Sequence, residues 1–378
     1  MTARPLWRNS LSLREAGVYY ALALLMAGLA GFAAARGLPP YLSAGNMTNI
    51  AYQASLVGIM GVAMTIVLIT GAFDLSVASV AALAAAVLIG LAPSIGFPLA
   101  AIAALVTGAA IGLINGAIVN LLGINAFIVT LGSLTAVRGL VLALTDGRSL
   151  MVEDPQVLAQ LLAFESGRVA AFWPMLGLAV ALVALGAWQI RRARAGGRPV
   201  RPGVAIGGVA IAALALAAGP GLLLPNPVLY LAAITAAAAF VLRFTVTGRR
   251  LYAVGGNAEA ARLSGIDVTA YKIGAFVVSG VAAGFAGVLF ASRLGAINPT
   301  ALQGSELTVI AAAILGGTSL FGGAGSVVKT VVGALILFTL TNGFNILNLG
   351  ANYQGLIEGL VVIVAAAIYT VGGRSAGR

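Results

Sequence analysis

The amino-acid sequence predicts an all-α polytopic membrane protein with about 10–12 transmembrane helices, glycine-interrupted segments and a short helix on the cytoplasmic surface. Three observations predict this class. Hydrophobic residues make up 61% of the 378 residues and charged residues 8%, whereas soluble globular chains carry about 25% charged residues. The mean hydropathy is +1.06. The 50 glycines suit helices whose backbones approach closely through small-residue faces.

The sequence contains neither cysteine nor histidine. Disulfides, thiolate nucleophiles, Cys/His metal sites and imidazole acid–base chemistry are therefore excluded. Acidic residues do not cluster in a metal-binding pattern. We expect no metal site and no cofactor, and the composition argues against a membrane-embedded enzyme such as a lipid-modifying transferase.

The chain begins with a short basic tail, residues 1–15, ahead of an apolar segment at 16–35. This segment is long enough to span a bilayer and lacks a cleavage site followed by a polar sequence, so we expect a retained helix with its N-terminus inside. The single transmembrane domain covers 16–372, and 373–378 form a cytoplasmic tail. Further spans are predicted at 47–71, 74–92, 98–122, 125–145, 172–190, 203–224, 226–246, 272–292, 305–321, 326–345 and 353–371.

The positions of the basic residues support twelve spans with both termini in the cytoplasm. This topology places the Arg-rich linker 191–202 and the polar loop 248–271 inside, where cationic loops are retained. Five of the 21 Lys and Arg residues fall on the other side: Arg36, Arg138, Arg148, Arg168 and Arg293. The acidic loop 146–171 is the largest external segment. It is either a contact for an external partner or an ordinary solvated loop.

The polar loop contains a short helix with signals at both ends. Asn257 is a good N-cap, Glu259 lies near the positive N-terminus, Arg262 and Leu263 follow in the last turn, and Gly265 suits a left-handed exit. A charged helix of about two turns does not belong in hydrocarbon. It is either available to a soluble partner or simply solvated.

Two glycine-interrupted stretches, 68–83 and 314–335, follow a related pattern. Each is an aliphatic run that ends in glycine, then a polar turn, then a Ser-Val pair that starts a new helix. They are either counterparts that line a substrate pathway or two tight cytoplasmic turns between neighbouring spans.

Polar residues inside or beside the spans are the candidates for this pathway. Abundant amides with few charges suit a neutral, hydroxyl-rich solute, since amides both donate and accept hydrogen bonds. Asp74 either caps the following helix, which we favour, or faces the cavity. The candidate pathway residues are Asp74, Ser76, Asn115, Asn120, Asn125, Phe127, Thr130, Glu306 and Asn342.

The energy source must lie elsewhere, because the glycine-rich run 322–330 lacks the Gly-Lys pair of a nucleotide-binding phosphate loop. Ion relays need buried carboxylates, and Glu358 is the only deep candidate. If transport is active, we expect the driving subunit to be supplied by a partner.

Several motifs resemble the permease subunits of bacterial ABC importers for ribose, xylose and related monosaccharides. They are LITGAFDLSVASVAAL, GLINGAIVNLLGINAFIVTLG, GRRLYAVGGNAEAARLSGIDV and SELTVIAAAILGGTSLFGGAGSV. The extra span and Arg-rich linker near 188–199 are most similar to xylose-type permeases. Ala78, where the family more often has glycine, and Lys329-Thr330, where small residues are usual, depart from the pattern.

The resemblance implies a homodimer in the bacterial inner membrane, a cytoplasmic sugar-type ATPase subunit, a periplasmic sugar-binding protein and a monosaccharide substrate, with lipid around the spans and no nucleic-acid partner. It also makes the helix at Asn257, Glu259, Arg262, Leu263 and Gly265 the coupling region that contacts the ATPase. Two alternatives stay open: an ABC permease for another small solute such as branched-chain amino acids, and a proton-coupled secondary sugar transporter that would need Glu358 or Asp74 to titrate.

Overall fold

The computed structural model describes residues 13–196, 203–347 and 359–360, and most of them are helical. The helices are α1 (Leu13–Ala35), α2 (Ala44–Ile69), α3 (Val77–Ile95), α4 (Phe97–Leu121), α5 (Ala126–Leu144), α6 (Pro155–Ser166), α7 (Phe172–Ala195), α8 (Gly203–Ala218), α9 (Asn226–Phe244), α10 (Val246–Gly256), α11 (Ala258–Leu263), α12 (Val268–Leu294), α13 (Ser305–Leu315) and α14 (Val327–Ile346). The strands are β1 (Leu150–Met151), β2 (Arg168–Ala170), β3 (Leu223–Pro225) and β4 (Ala296–Ile297).

The predicted fold class is confirmed. Within the described residues, nine helices are long and apolar enough to cross a membrane, and α8 and α13 are shorter apolar helices. The last predicted span, 353–371, lies outside the described residues apart from 359–360, as do Glu358, residues 1–12 of the basic tail, 197–202 of the basic linker and the C-terminal tail 373–378.

Three predicted boundaries are wrong, two of them because glycines end the helix early. The span predicted at 203–224 ends at Ala218, because Gly219, Pro220 and Gly221 follow it. The span predicted at 305–321 ends at Leu315, before Gly316 and a Gly317 with a left-handed φ of 79°. By contrast, the span predicted at 172–190 continues to Ala195, so the arginines at the start of the basic linker are helical.

The chain forms two compact units. The first comprises residues up to Ile50 together with Arg168–Pro225. In it β2 and β3 pair antiparallel, with Val169 opposite Leu224. Helices α7 and α8 pack so closely that a Cβ at Gly186 would overlap Ala205.

The second unit comprises Ala51–Gly167 and the chain from Asn226 onward, and its core is built on α3, α4 and α12. Helix α4 presents Gly108 and Gly112 to α12. A Cβ at Gly108 would overlap the Gly280 carbonyl, and a Cβ at Gly112 would overlap the Phe276 carbonyl. Small residues therefore let these two backbones touch, which is a principal source of helix association in lipid.

Candidate functional site

The predicted surface helix is present as α11, and both of its ends are as expected. The Asn257 side-chain oxygen accepts a hydrogen bond from the Ala260 N–H at 2.9 Å, and Gly265 has a left-handed φ of 77°. Buried Ala261 packs against Val254 and Val268. The other face, which carries Glu259, Arg262 and Leu263, is exposed. Leu263 is 85% exposed, so this face presents an apolar side chain beside two charged ones.

A second helix, α10, precedes α11 and was not predicted. Its N-cap, Thr245, accepts a hydrogen bond from the Gly248 N–H at 3.2 Å. A Thr followed by a helical run is a readable signal, but the glycines at 248, 255 and 256 argue against a helix on propensity alone. Tertiary packing overrides that preference here.

Helix α10 packs directly on both glycine-interrupted stretches. The Gly323 N–H donates to the Ile69 carbonyl at 2.9 Å. A Cβ at Gly255 would overlap that carbonyl and the Gly323 nitrogen, and a Cβ at Gly322 would overlap the Gly255 carbonyl and approach Gly71. We call Ile69, Gly71, Gly255, Gly322 and Gly323 the glycine junction. Three segments that are far apart in sequence meet there through their backbones.

The junction is reinforced by one tyrosine. The Tyr252 hydroxyl of α10 donates to the Gly325 carbonyl at 2.9 Å, and burial raises the pKa of this hydroxyl. Gly322, at the tip of the second stretch, has a left-handed φ of 88°, which glycine adopts without strain.

The structure favours the turn alternative for the first stretch. It connects α2, which has 26 residues, with α3, which has 19, so both flanking helices are of spanning length. The Ser-Val starts of both new helices are confirmed, with N-caps at Ser76 and Ser326.

Asp74, in this turn, is 2% exposed and fully engaged. One carboxylate oxygen accepts from the Ser76 N–H at 3.1 Å and from the Ser76 hydroxyl at 2.6 Å. The other accepts from the Ser279 hydroxyl of α12 at 2.7 Å. Helix α3 begins at Val77 with Ser76 as its N-cap, so Asp74 braces the turn before the helix and does not cap its first turn, contrary to the favoured interpretation. The contact with Ser279 adds a tertiary link.

The hydrogen bonds continue from Ser76 towards the surface of α4 and α5. The Asn115 amide nitrogen donates to the Ser76 hydroxyl oxygen at 3.0 Å, and the Ser133 hydroxyl donates to the Asn115 amide oxygen. We call Ser133, Asn115, Ser76, Asp74 and Ser279 the polar chain. It ends at an open groove with a volume of about 260 Å³, lined by Ile111, Ile114, Asn115, Ser133, Ala136, Val137 and Leu140.

Of the predicted pathway residues, the structure therefore brings Asp74, Ser76 and Asn115 together. The remaining ones lie elsewhere on these helices or on others. Asn120 bonds the Gly116 carbonyl of its own helix, Asn125 caps α5, Phe127 is exposed and Thr130 bonds the Ala126 carbonyl. Glu306 begins α13, and Asn342 is buried in α14.

Ser133 and Ser279 were not predicted as site residues. Each is one of several hydroxyl residues in a long apolar helix, and such residues often bond only their own backbone, as Thr130 does. Only the packing of α4, α5 and α12 around Asp74 distinguishes them.

A different polar cluster holds the loop that was predicted to be external. Glu165, at the end of α6, is fully buried and pairs with Arg293 at 2.9 Å. The Tyr52 hydroxyl donates to the same carboxylate at 2.6 Å, and the Arg293 guanidinium lies 4.1 Å from the centre of the Tyr52 ring. We call Tyr52, Glu165 and Arg293 the ionic clasp.

The same region contains a short sheet and an arginine contact. Leu150 of β1 lies opposite Ile297 of β4. The Arg138 guanidinium of α5 donates to the carbonyls of Pro299 and Ala301, at 2.9 and 2.8 Å. Helix α6 was not predicted, although Asp154 followed by Pro155 is a strong start signal, and Asp154 indeed caps it.

Comparisons with known proteins agree with the family resemblance. Residues 46–366 match the family described as branched-chain amino acid transport system / permease component. The xylose transport system permease protein of Escherichia coli is 36% identical over 336 residues, which cover 86% of this chain and 84% of that protein. The ribose import permease protein of Escherichia coli is 34% identical over 333 residues, which cover 87% of each chain.

A third relative, the xylose transport system permease protein of Haemophilus influenzae, is 33% identical over 341 residues, which cover 87% of this chain and 90% of that protein. No solved structure matches the chain significantly. The family match extends over most of the chain and the relatives are similar along nearly their whole length. This chain therefore belongs to the family of ABC-importer permeases that includes the xylose and ribose permeases, and it is a multi-pass membrane transport subunit, not an enzyme.

Proposed function

We propose that this chain is the permease subunit of an inner-membrane ABC importer that carries a monosaccharide, of which the pentose xylose is the first candidate. It alternates access to its pathway and takes its energy from a separate ATPase subunit. The observation that supports this most directly is the contact between α10, which leads into the exposed α11, and both glycine-interrupted stretches.

The ATPase subunit is assigned to the exposed face of α11. Glu259, Arg262 and Leu263 are exposed there, while Ala261 anchors the helix to the rest of the unit. An exposed leucine beside two charged side chains fits a partner surface with an apolar core and a polar rim. Because α11 is fixed at both ends, a movement of its partner is passed to α10 and then to the glycine junction.

The binding protein and a second permease copy are the other partners. We assign the binding protein to the region of the ionic clasp, since α6 and the segment from Gly295 onward meet there, 17 residues before the glycine junction along α2. The second copy is assigned to the apolar surface where α4 ends and α5 begins, outside the groove, where Leu121, Phe127 and Ile128 are more than half exposed.

The substrate assignment is supported by the chemistry of the polar chain and by the names of the relatives. Hydroxyl and amide groups beside an apolar groove suit a solute that carries both C–H faces and hydroxyls. A branched-chain amino acid would present a carboxylate and an ammonium group, for which paired charges would be expected.

Reconstitution in liposomes tests the proposal. The permease is assembled with its ATPase subunit, and uptake of radiolabelled xylose, ribose and leucine is measured with a saturating binding protein loaded with each solute. We expect both sugars to be taken up only when ATP is supplied on the side of the membrane where the ATPase subunit is bound, and we expect xylose to be taken up faster than ribose. Uptake of leucine alone, or uptake by the permease alone under a pH gradient, would contradict it.

A further inference from the structure

We propose that Asp74 is a positioning residue that fixes the direction of every hydrogen bond in the polar chain. As a result Ser133 offers the groove only an acceptor, which receives a hydrogen from a hydroxyl group of the passing solute. The inference rests on the proposed function and adds to it the group that Ser133 recognises.

The argument starts at the buried end of the polar chain. A carboxylate only accepts hydrogen bonds, so the hydroxyls of Ser76 and Ser279, at 2.6 and 2.7 Å, both donate to Asp74. Each hydroxyl has one hydrogen. Once the Ser76 hydrogen is directed at Asp74, its oxygen can only accept from the next member.

That constraint sets the orientation of an amide. The atom of Asn115 that lies 3.0 Å from the Ser76 oxygen must be the amide nitrogen, because only the nitrogen donates. The amide oxygen of Asn115 then faces Ser133 and accepts its hydroxyl hydrogen. Asn115 is 1% exposed, so the alternative orientation would set its amide oxygen against the Ser76 oxygen, whose hydrogen is already used, and leave two buried acceptors facing each other.

The consequence appears at the groove. Ser133 is half-buried and lines the groove beside Ile111, Ala136 and Leu140. Its hydrogen is already used, so its oxygen presents lone pairs to whatever enters. The groove volume of about 260 Å³ is close to the lower end of small-ligand sites, which span about 300–1,000 Å³. An apolar wall with one acceptor fits a sugar face that carries a donating hydroxyl.

The test is a cycle of variants and sugar analogues in the reconstituted complex. Analogues in which one hydroxyl is replaced by fluorine keep the size of the group but cannot donate. With the binding protein saturated by each sugar, we expect at least one fluoro analogue to enter wild-type vesicles about 3–10 times more slowly than the parent sugar. Ser133→Ala removes the acceptor, so the parent should slow and the ratio should approach one, while Ser133→Thr should restore the wild-type ratio.

Asp74→Asn tests the positioning role separately. Its amide oxygen stays opposite the Ser76 N–H, which can only donate, so the direction of the polar chain and the fluoro penalty should persist. Asp74→Ala removes the acceptor of the Ser76 hydrogen and allows the polar chain to reverse, so the penalty for the same fluoro analogue should shrink. A purely structural role for Asp74 would slow all sugars by one common factor. Analogue-to-parent ratios that are equal in wild type and Ser133→Ala at every hydroxyl position would overturn the inference. A wild-type complex without ATP-driven sugar uptake would instead overturn the proposed function and this inference with it.

Discussion

Two regions of helix α2, its last residue Ile69 and the turn around Tyr52, are held in different ways. At Ile69 the helix ends in the glycine junction, where backbone atoms of three segments touch and four of the five residues are glycines. At Tyr52, eight residues after its start at Ala44, the same helix contributes to the ionic clasp, where a buried carboxylate accepts from a phenol and pairs with a guanidinium. The two sites are separated by 17 residues, or roughly 25 Å along a helix.

This difference indicates what each region tolerates. Contacts between backbones leave no room for an added methyl group, but they involve no charges. The ionic clasp depends on one carboxylate, and its long side chains can adjust to small shifts. The glycine junction should therefore be sensitive to volume and the ionic clasp to charge.

The largest effect is expected for Gly255→Ala. The new Cβ would overlap the Ile69 carbonyl, and overpacking against backbone costs about 1–3 kcal/mol, which is a change of about 5-fold to more than about 100-fold in a rate that depends on this contact. We expect ATP-driven uptake to fall by that factor in complexes that still contain the ATPase. Gly256→Ala is the matched control, because a Cβ at Gly256 meets nothing within 4 Å.

Loss of the charge in the ionic clasp should be the next largest effect. Glu165→Gln keeps the shape of the side chain but leaves Arg293 without its counter-ion, and we expect a loss of about 2 kcal/mol because Arg293 is partly exposed. Thermal unfolding in detergent measures this as a lower Tm. The control is Glu153→Gln, whose side chain is exposed. Equal Tm values for both variants would contradict the role of the ionic clasp.

A smaller effect is expected at the cap of α11. Asn257→Ala removes the acceptor for the Ala260 N–H and should cost about 1 kcal/mol, which is too little to unfold the protein but enough to loosen a docked helix. Binding of the purified ATPase subunit, measured by light scattering or calorimetry, should weaken several-fold. Asn257→Asp keeps a good cap and should bind normally, so equal weakening in the two variants would count against the cap.

Features that depend on neighbouring residues could be predicted from the sequence. The cap at Asn257, the exit at Gly265 and the helix starts after Ser76 and Ser326 depend on neighbouring residues, and they are correct. Hydropathy likewise located the nine spanning helices of the described residues, because each is a continuous apolar run, but it overestimated the length of the apolar helices that end at Ala218 and Leu315.

Contacts between distant segments could not be predicted in this way. Glu165 and Arg293 were both assigned to the same side of the membrane, but nothing local pairs two residues that are 128 positions apart. The same holds for Ser279, which is 205 positions from Asp74, and for Gly255, whose close approach to Ile69 is set by tertiary packing.

The central claim, that the glycine junction end faces the cytoplasm and the ATPase, is tested most directly by labelling one introduced cysteine. The natural chain has no cysteine, so Ala260→Cys, on exposed α11, provides a single thiol for a membrane-impermeant reagent. We predict labelling in inside-out vesicles, protection when the ATPase subunit is bound, and no labelling in right-side-out vesicles. Labelling of Ala260→Cys from the outside of intact right-side-out vesicles would contradict the account.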